Sequence, residues 1–273
     1  MTRAIVLIIA HKERLTKYEE ISLRQCFKVF RDYPVRLICP RDLPTDHYAS
    51  VVRDIEIDAI HPKWQSTYRN FNLLKMHPFL YDRYRRFEYI LFYELDAFVF
   101  RDELEYWCDK GYSYIGAPWF EGLSEAVSPR IVGVGNGGFS LRNTAHCRRG
   151  CREYSLIKPP REVIARYWRR GWRKRVTQLP RAVGHLMGVG NNIHYLFKDY
   201  QYQEDGYWTD VIGNRLAWYE VAGVEEASRF SFEAMPRYLF ERNGRRLPFG
   251  CHAWPRYDLD FWRPYIEAEG YVL

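Results

Sequence analysis

Two carboxylates separated by one residue interrupt an apolar run from Tyr89 to Phe100, YILFYELDAFVF. Glu94 and Asp96 in such a setting lose hydration and repel each other, so a cation or an incoming ligand has to compensate them. Residues i and i+2 of a strand share a face. Both carboxylates are then within reach of one hard divalent cation, Mg or Mn, that takes oxygen ligands, and a diphosphate is the natural third party. The competing reading is that each carboxylate pairs with an arginine or caps the next element.

Other stretches carry chemistry of the same kind. Val132 to Arg142 reads VGVGNGGFSLR, and its glycines let the backbone approach a bulky ligand closely, with Asn136 able to hydrogen-bond a hydroxyl beside Gly137 and Gly138. The spacing GxGxxG occurs there, but Phe139 to Leu141 reads as strand, which disfavours phosphate cradling at a helix start. Glu204 and Asp205 open a helix flanked by Tyr207 and Trp208. A carboxylate in a partly apolar aromatic wall suits proton removal from an acceptor hydroxyl, although charge at a helix start is also simple dipole compensation. His252, in LPFGCHAW, offers an imidazole to a metal or a phosphate.

The elements that must position these residues read as alternating strand and helix. Ala4 to Ala10 is a buried strand, followed by the basic loop residues His11, Lys12 and Arg14 and by a helix from Thr16 to Phe30. A basic loop at the carboxyl end of a first parallel strand is where open α/β sheets bind nucleotides. Strands follow at Val35 to Cys39 and Val51 to Ile57, then a helix from Thr67 to Tyr84 that Pro78 kinks or ends. Lys75 on that helix can meet a phosphate as a point charge. Beyond Tyr89 to Phe100 come a short helix from Arg101 to Trp107, a strand from Tyr112 to Trp119, a linker from Gly184 to Gly190, and loop and helix over Asn191 to Tyr219.

A chain of 273 residues buries a sizeable core, and a formal charge of +7 favours an anionic partner. Much of that charge lies between His146 and Arg181, where arginines and lysines interleave with Tyr154, Tyr167, Trp168 and Trp172. This pattern suits an amphipathic helix on an anionic bilayer, a groove for a pyrophosphate-linked acceptor, or nucleic acid. Its plainest reading is a solvated helical hairpin. The six cysteines show no zinc spacing and no CxxC, which points to reduced thiols in a cytoplasmic protein. The apolar stretch after Arg3 is too short for a membrane span.

Taken in order, LDAFVF, YIGAPW, VGNGGFSLR, the QED turn and PFGCHAW resemble the GT-A-type glycosyltransferases, and more narrowly a family within that group sharing these strings. The resemblance runs from about Ile5 to Trp262. It implies an α/β fold, a GT-A-like Rossmann-type sandwich with a mostly parallel central sheet and helical additions. A single catalytic domain would span 1–273, with 1–130 on the nucleotide-sugar side, 131–262 on the acceptor side and a basic aromatic helical segment at 146–181. It also implies a nucleotide-sugar donor, a UDP-sugar above others, a divalent cation (Mn or Mg), and a glycan or lipid-linked acceptor, with peripheral contact at the inner face of the membrane. Glu94 and Asp96 take the DxD-like position, with Glu in place of the first Asp leaving Asp96 the firmer ligand and Glu94 either a second ligand or a contact to the ribose or the sugar, and His252 is a third metal or diphosphate contact. His11, Lys12, Arg14 and Lys75 join Glu94 and Asp96 at the donor; Asn136, Gly137 and Gly138 take the sugar and acceptor side. Asp205, ahead of Glu204, is the base of an inverting hexosyl transfer. The alternatives are a non-enzymatic module that binds nucleic acid or anionic membrane through 146–181, and a nucleotidyltransferase or sugar-nucleotide hydrolase on the same carboxylates.

Overall fold

A computed structural model of the chain describes residues 2–193 and 203–273. Strand β1 (Ala4–Ile9) lies between β2 (Val35–Pro40) and β4 (Tyr89–Tyr93), parallel to both, and β3 (Glu56–Ile60) extends the parallel set beyond β2. On the other side β9 (Phe139–Asn143) runs antiparallel to β4 and pairs with β6 (Tyr114–Ile115), giving the order β3-β2-β1-β4-β9-β6. Continuous apolar runs are what a sheet covered on both faces requires. In β1, Ala4, Val6 and Ile8 enter one core cluster while Ile5, Leu7 and Ile9 enter another, and β4 divides likewise between Tyr89, Leu91 and Tyr93 and the pair Ile90 and Phe92. The fold is therefore mixed α/β with a mostly parallel central sheet.

Helix α1 (Lys17–Val29) starts at a capping box: Glu19 N–H donates to Thr16 Oγ1 (3.4 Å) and Thr16 N–H donates to Glu19 Oε2 (2.8 Å). The expected strand over Val51 to Ile57 is displaced. Val51 instead ends helix α2 (Asp46–Val51), whose buried Tyr48 and Val51 lie three residues apart on one helical face, and the strand begins at Glu56. Pro78 ends α3 (Tyr68–Met76) and opens α4 (Pro78–Arg83), where the missing proline N–H is tolerated.

Two small sheets complete the strand set. β7 (Ala117–Phe120) forms a hairpin with β8 (Ile131–Gly135), so the single strand expected over Tyr112 to Trp119 is split at Gly116 between the central sheet and this hairpin. In the other, β11 (Gly250–Cys251) runs between β10 (Ser231–Phe232) and β5 (Phe98–Val99). The short helix expected from Arg101 is α5 (Leu104–Asp109). The basic stretch forms α6 (Thr144–Gly150), α7 (Pro160–Trp168) and α8 (Trp172–Leu186). Gly184 is thus inside a helix, and the chain leaves it only near Gly188, whose φ of 86° ends regular helix. Of the expected loop and helix over 191–219, residues 194–202 lie outside the described residues; the remainder forms the helix Glu204–Gly206 and a π-helical turn, Tyr207–Gly213. All six cysteines are free and buried. Among the described residues no helix is long and apolar enough to cross a membrane.

Candidate active site

The carboxyl end of β4 and the small three-stranded sheet meet at one place, and their register sets the site. Asp96 lies two residues before β5, Glu233 follows β10 directly and His252 follows β11 directly; the pairs Phe232–Cys251 and Cys251–Phe98 bring the three to one end of that sheet. Glu94 is not in a strand. Its N–H donates to Gly138 O (2.7 Å), and Ala97 N–H donates to Glu94 O (2.9 Å), closing a turn. That turn, and not strand alternation, puts Glu94 and Asp96 side by side, which corrects the geometry expected from their spacing.

Glu94, Asp96 and His252 offer ligand atoms that all lie within 4.8 Å of one another. His252 Nε2 is 3.1 Å from Asp96 Oδ1 and 3.7 Å from Glu94 Oε2, while Nδ1 is 3.0 Å from Glu233 Oε1. A carboxylate on Nδ1 is the usual support of a metal-ligating imidazole, because it holds the tautomer that leaves Nε2 free as ligand. Two carboxylate oxygens and one imidazole suit Mn or Mg, with coordination left over for a diphosphate and water.

Behind this group lies a buried charge network. Lys75, expected at a phosphate, is 2% exposed and bonds Glu94, with Glu204 at 3.6 Å and the Phe71 ring at 4.6 Å. Burial alone would lower its pKa, but Glu204 and Glu94 more than offset that and raise it. Burial pushes Glu94 the opposite way, towards neutrality, yet Lys75 and then His252 hold its carboxyl well below the usual range. Arg142 on β9 is fully buried: it donates to Glu204 Oε1 (2.6 Å), Tyr81 Oη (3.1 Å) and Ser140 Oγ (3.1 Å), and its guanidinium lies 4.2 Å from the Phe92 ring centre. Glu204 is therefore the shared anion of Lys75 and Arg142. Replacing Arg142 with Met would leave that anion with Lys75 as its one cation among the described residues, and we expect unfolding in urea to show a loss of about 3–5 kcal/mol. Adding Glu204→Gln should restore part of the loss; no recovery would mean the effect comes from packing alone.

Asp205 adjoins that network, its backbone N–H donating to Glu204 Oε2 (2.9 Å). It accepts from Asn136 N–H (3.0 Å) and Gly206 N–H (2.9 Å), and burial, then the charge of Glu204, raises its pKa to about 7. It lines a cavity of about 670 Å³ together with Asn136, Gly137, Glu233 and His252, and with Tyr68 and Trp119 on an apolar wall. Asn136 is buried at φ 80°; its Oδ1 accepts from Gly138 and Phe139, and its Nδ2 has no partner among the described residues. The glycines do more than admit a ligand. A Cβ at Gly137 would lie 2.1 Å from Glu204 Oε1, and one at Gly138 would lie 2.0 Å from His252 Nε2, so their bare backbone makes room for the site's own side chains.

His11, Lys12 and Arg14 follow β1, on the same edge of the sheet as Glu94 and Asp96 after β4. None of them lines the cavity. Lys12 pairs with Glu19 and the His11 ring sits 6.5 Å from Phe71. Glu233, Arg142 and Trp119 were not singled out from sequence. The first had no local signal beyond a carboxylate ending ASRFSFE.

The family model described as "Protein of unknown function (DUF5672)" matches residues 54–252, well over half of the chain. The chain belongs to the DUF5672 family. The matched span holds Glu94, Asp96, Asn136, Asp205, Glu233 and His252, whereas His11, Lys12 and Arg14 precede it. No curated protein matches this DUF5672 chain. Among solved structures, an active-site mutant of LgtC aligns over 97% of this chain and 95% of its own at 15% identity and TM-score 0.52. The galactosyltransferase LgtC in complex with donor and acceptor sugar analogs aligns over 98% and 97% at 14% identity and TM-score 0.46. Mouse xyloside xylosyltransferase 1 in its apo form aligns over 90% and 96% at 10% identity and TM-score 0.45. The first likeness shows that this chain shares its mixed α/β fold with LgtC; at 15% identity it speaks to fold alone.

Proposed function

We propose that the chain is a metal-dependent glycosyltransferase that moves a hexose from a nucleotide sugar, a UDP-sugar, to a glycan or lipid-linked acceptor with inversion. The observation that carries this reading is the cluster of Glu94, Asp96 and His252, whose His252 lines a cavity together with Asp205, a carboxyl with its pKa raised to about 7. The charge count supports it further. Among the described residues Glu94, Asp96, Glu204, Asp205 and Glu233 face only Lys75 and Arg142 as permanent cations, so this set is short of positive charge even with His252 protonated.

Glu94, Asp96 and His252 would hold the cation, which when bound supplies charge stabilisation to the departing diphosphate. Asn136 Nδ2 is a buried donor available to a sugar hydroxyl, and Trp119 and Tyr68 offer faces for a sugar ring. Asp205 takes the proton of the acceptor hydroxyl as that oxygen bonds to the anomeric carbon; the bond from that carbon to the diphosphate oxygen breaks and the nucleoside diphosphate leaves. Exposed Trp172, Val176, Leu179 and Val183 recur along one face of α8 beside Arg169, Arg173 and Lys174, which supports contact with an anionic membrane where a lipid-linked acceptor resides.

Calorimetric titration of UDP, GDP and dTDP, with and without manganese, tests the reading without the acceptor. We expect manganese-dependent binding of UDP. Absence of metal-dependent binding for every nucleoside diphosphate would overturn it.

A further inference from the structure

The hairpin of α7 and α8 encloses a second cavity, of about 330 Å³, whose residues are separate from those of the candidate active site. Arg166 reaches it from α7 and Arg170 from the turn that joins α7 to α8; Gln178, Arg181 and His185 reach it from α8; Lys158 closes it from the segment before α7. No acidic residue among the described residues lines it. Among the described residues the side chains of Lys158, Arg166, Arg170 and Arg181 form no ion pair and donate no hydrogen bond, although most other arginines of the chain are paired with carboxylates.

The arrangement is built and not a chance of long side chains. Asn191, 2% exposed, accepts from Lys158 N–H (2.8 Å) and donates to Lys158 O (3.0 Å) and His185 O (2.9 Å), clipping the entry to α7 onto the end of α8. At the opposite end Arg175 donates to the carbonyls of Arg170 (2.7 Å) and Trp168 (2.7 Å), and Tyr167 donates to Arg175 O (3.1 Å). Four like charges held around one concavity repel one another, and an anion seated among them relieves that repulsion. The field is felt locally: burial, then Arg181, Lys158 and Arg166, lowers the His185 pKa.

We propose that this cavity binds a phosphate or diphosphate group, separately from the nucleotide at the metal cluster. Guanidinium forks from facing helices and one ammonium match the several acceptor oxygens of such a group, and the volume suits one or two phosphoryl units with water. The group comes either from a soluble phosphate compound or from a phospholipid headgroup, since the apolar face of α8 lies on the same hairpin.

Titration of inorganic pyrophosphate into the full chain in EDTA, which keeps metal from the Glu94, Asp96 and His252 cluster, reads the site directly. We expect binding that weakens at least about tenfold in Arg166→Gln/Arg181→Gln, as loss of two charge-assisted contacts implies, and that weakens with added salt. Lys158→Gln is a second variant whose removed ammonium supports no other contact, and its weakening would give the same answer should the double variant misfold. Flotation with phosphatidylcholine vesicles, with and without phosphatidic acid, separates the sources. Pyrophosphate-displaceable binding to the acidic vesicles assigns the headgroup, whereas pyrophosphate binding without vesicle binding assigns a soluble phosphate. Either supports the site. Absence of pyrophosphate binding, or binding that is equal in wild type and both variants, overturns it.

Discussion

Asp205→Asn should lower kcat by about 10²–10⁴-fold, the usual worth of a positioned general base, while nucleoside diphosphate binding stays unchanged. Asp205 touches neither Lys75 nor the His252 cluster, so the substitution leaves the donor side intact. The wild-type rate should rise with pH through about 7, because only the deprotonated carboxylate accepts a proton and burial, followed by the charges of Glu204 and Glu233, holds its pKa there. The N–H groups of Gly206 and Asn136 pull the other way and lose. Stability carries the opposite sign. A carboxyl whose folded pKa exceeds the unfolded value of about 3.9 favours the fold below that pH and loses the contribution as pH rises to about 7. At pH 8 the buried charge is a net cost, and Asp205→Asn removes it. The variant should gain on the order of 2 kcal/mol at pH 8 and little at pH 4, read as a Tm higher by a few degrees only at the alkaline end. Turnover preserved in the variant would remove Asp205 as base, and an equal Tm at pH 8 would remove the buried-proton argument.

What could be read from sequence follows from how far each feature reaches along the chain. Parallel strands covered on both faces must be apolar at successive positions, so β1 and β4 stand out without any partner in view. The capping box at Thr16 and the break at Pro78 are equally local. The boundary at Val51 is not: adjacent valines read as strand, and it is the packing of Tyr48 and Val51 on one helical face that decides otherwise. The site divides in the same way. Glu94 and Asp96 announce themselves by interrupting an apolar run, but their shared orientation comes from a turn tied to Gly138, which strand periodicity does not contain. Lys75 on a helix surface reads as solvated until Glu94 and Glu204 arrive from distant segments to bury it. Arg142 ends a glycine-rich string, and its role depends on a carboxylate sixty-two residues away. Glu233 gains meaning only when β10 pairs with β11 and sets it against the His252 ring.

Asp96→Ala should abolish metal-dependent nucleoside diphosphate binding while sparing the fold. The three candidate ligands differ in what else holds them. Glu94 is committed on one oxygen to Lys75, and His252 is tied through Nδ1 to Glu233, whereas the side chain of Asp96 is 42% exposed and among the described residues reaches only His252. A half-exposed carboxylate with one partner contributes little to stability, so the variant should unfold within about 1 kcal/mol of wild type. Binding responds differently. Loss of an outer-sphere partner costs roughly 10- to 100-fold in metal affinity, so loss of a ligand itself should exceed about 100-fold, and manganese-dependent heats with UDP should vanish from calorimetry. Glu94→Gln is the informative contrast: it leaves the buried Lys75 with Glu204 as its one carboxylate among the described residues, and should cost stability as well as binding. If Asp96→Ala binds UDP and manganese as wild type does, the cluster is a structural charge network in which Lys75 and His252 neutralise the carboxylates, and the transferase reading loses the feature on which it rests.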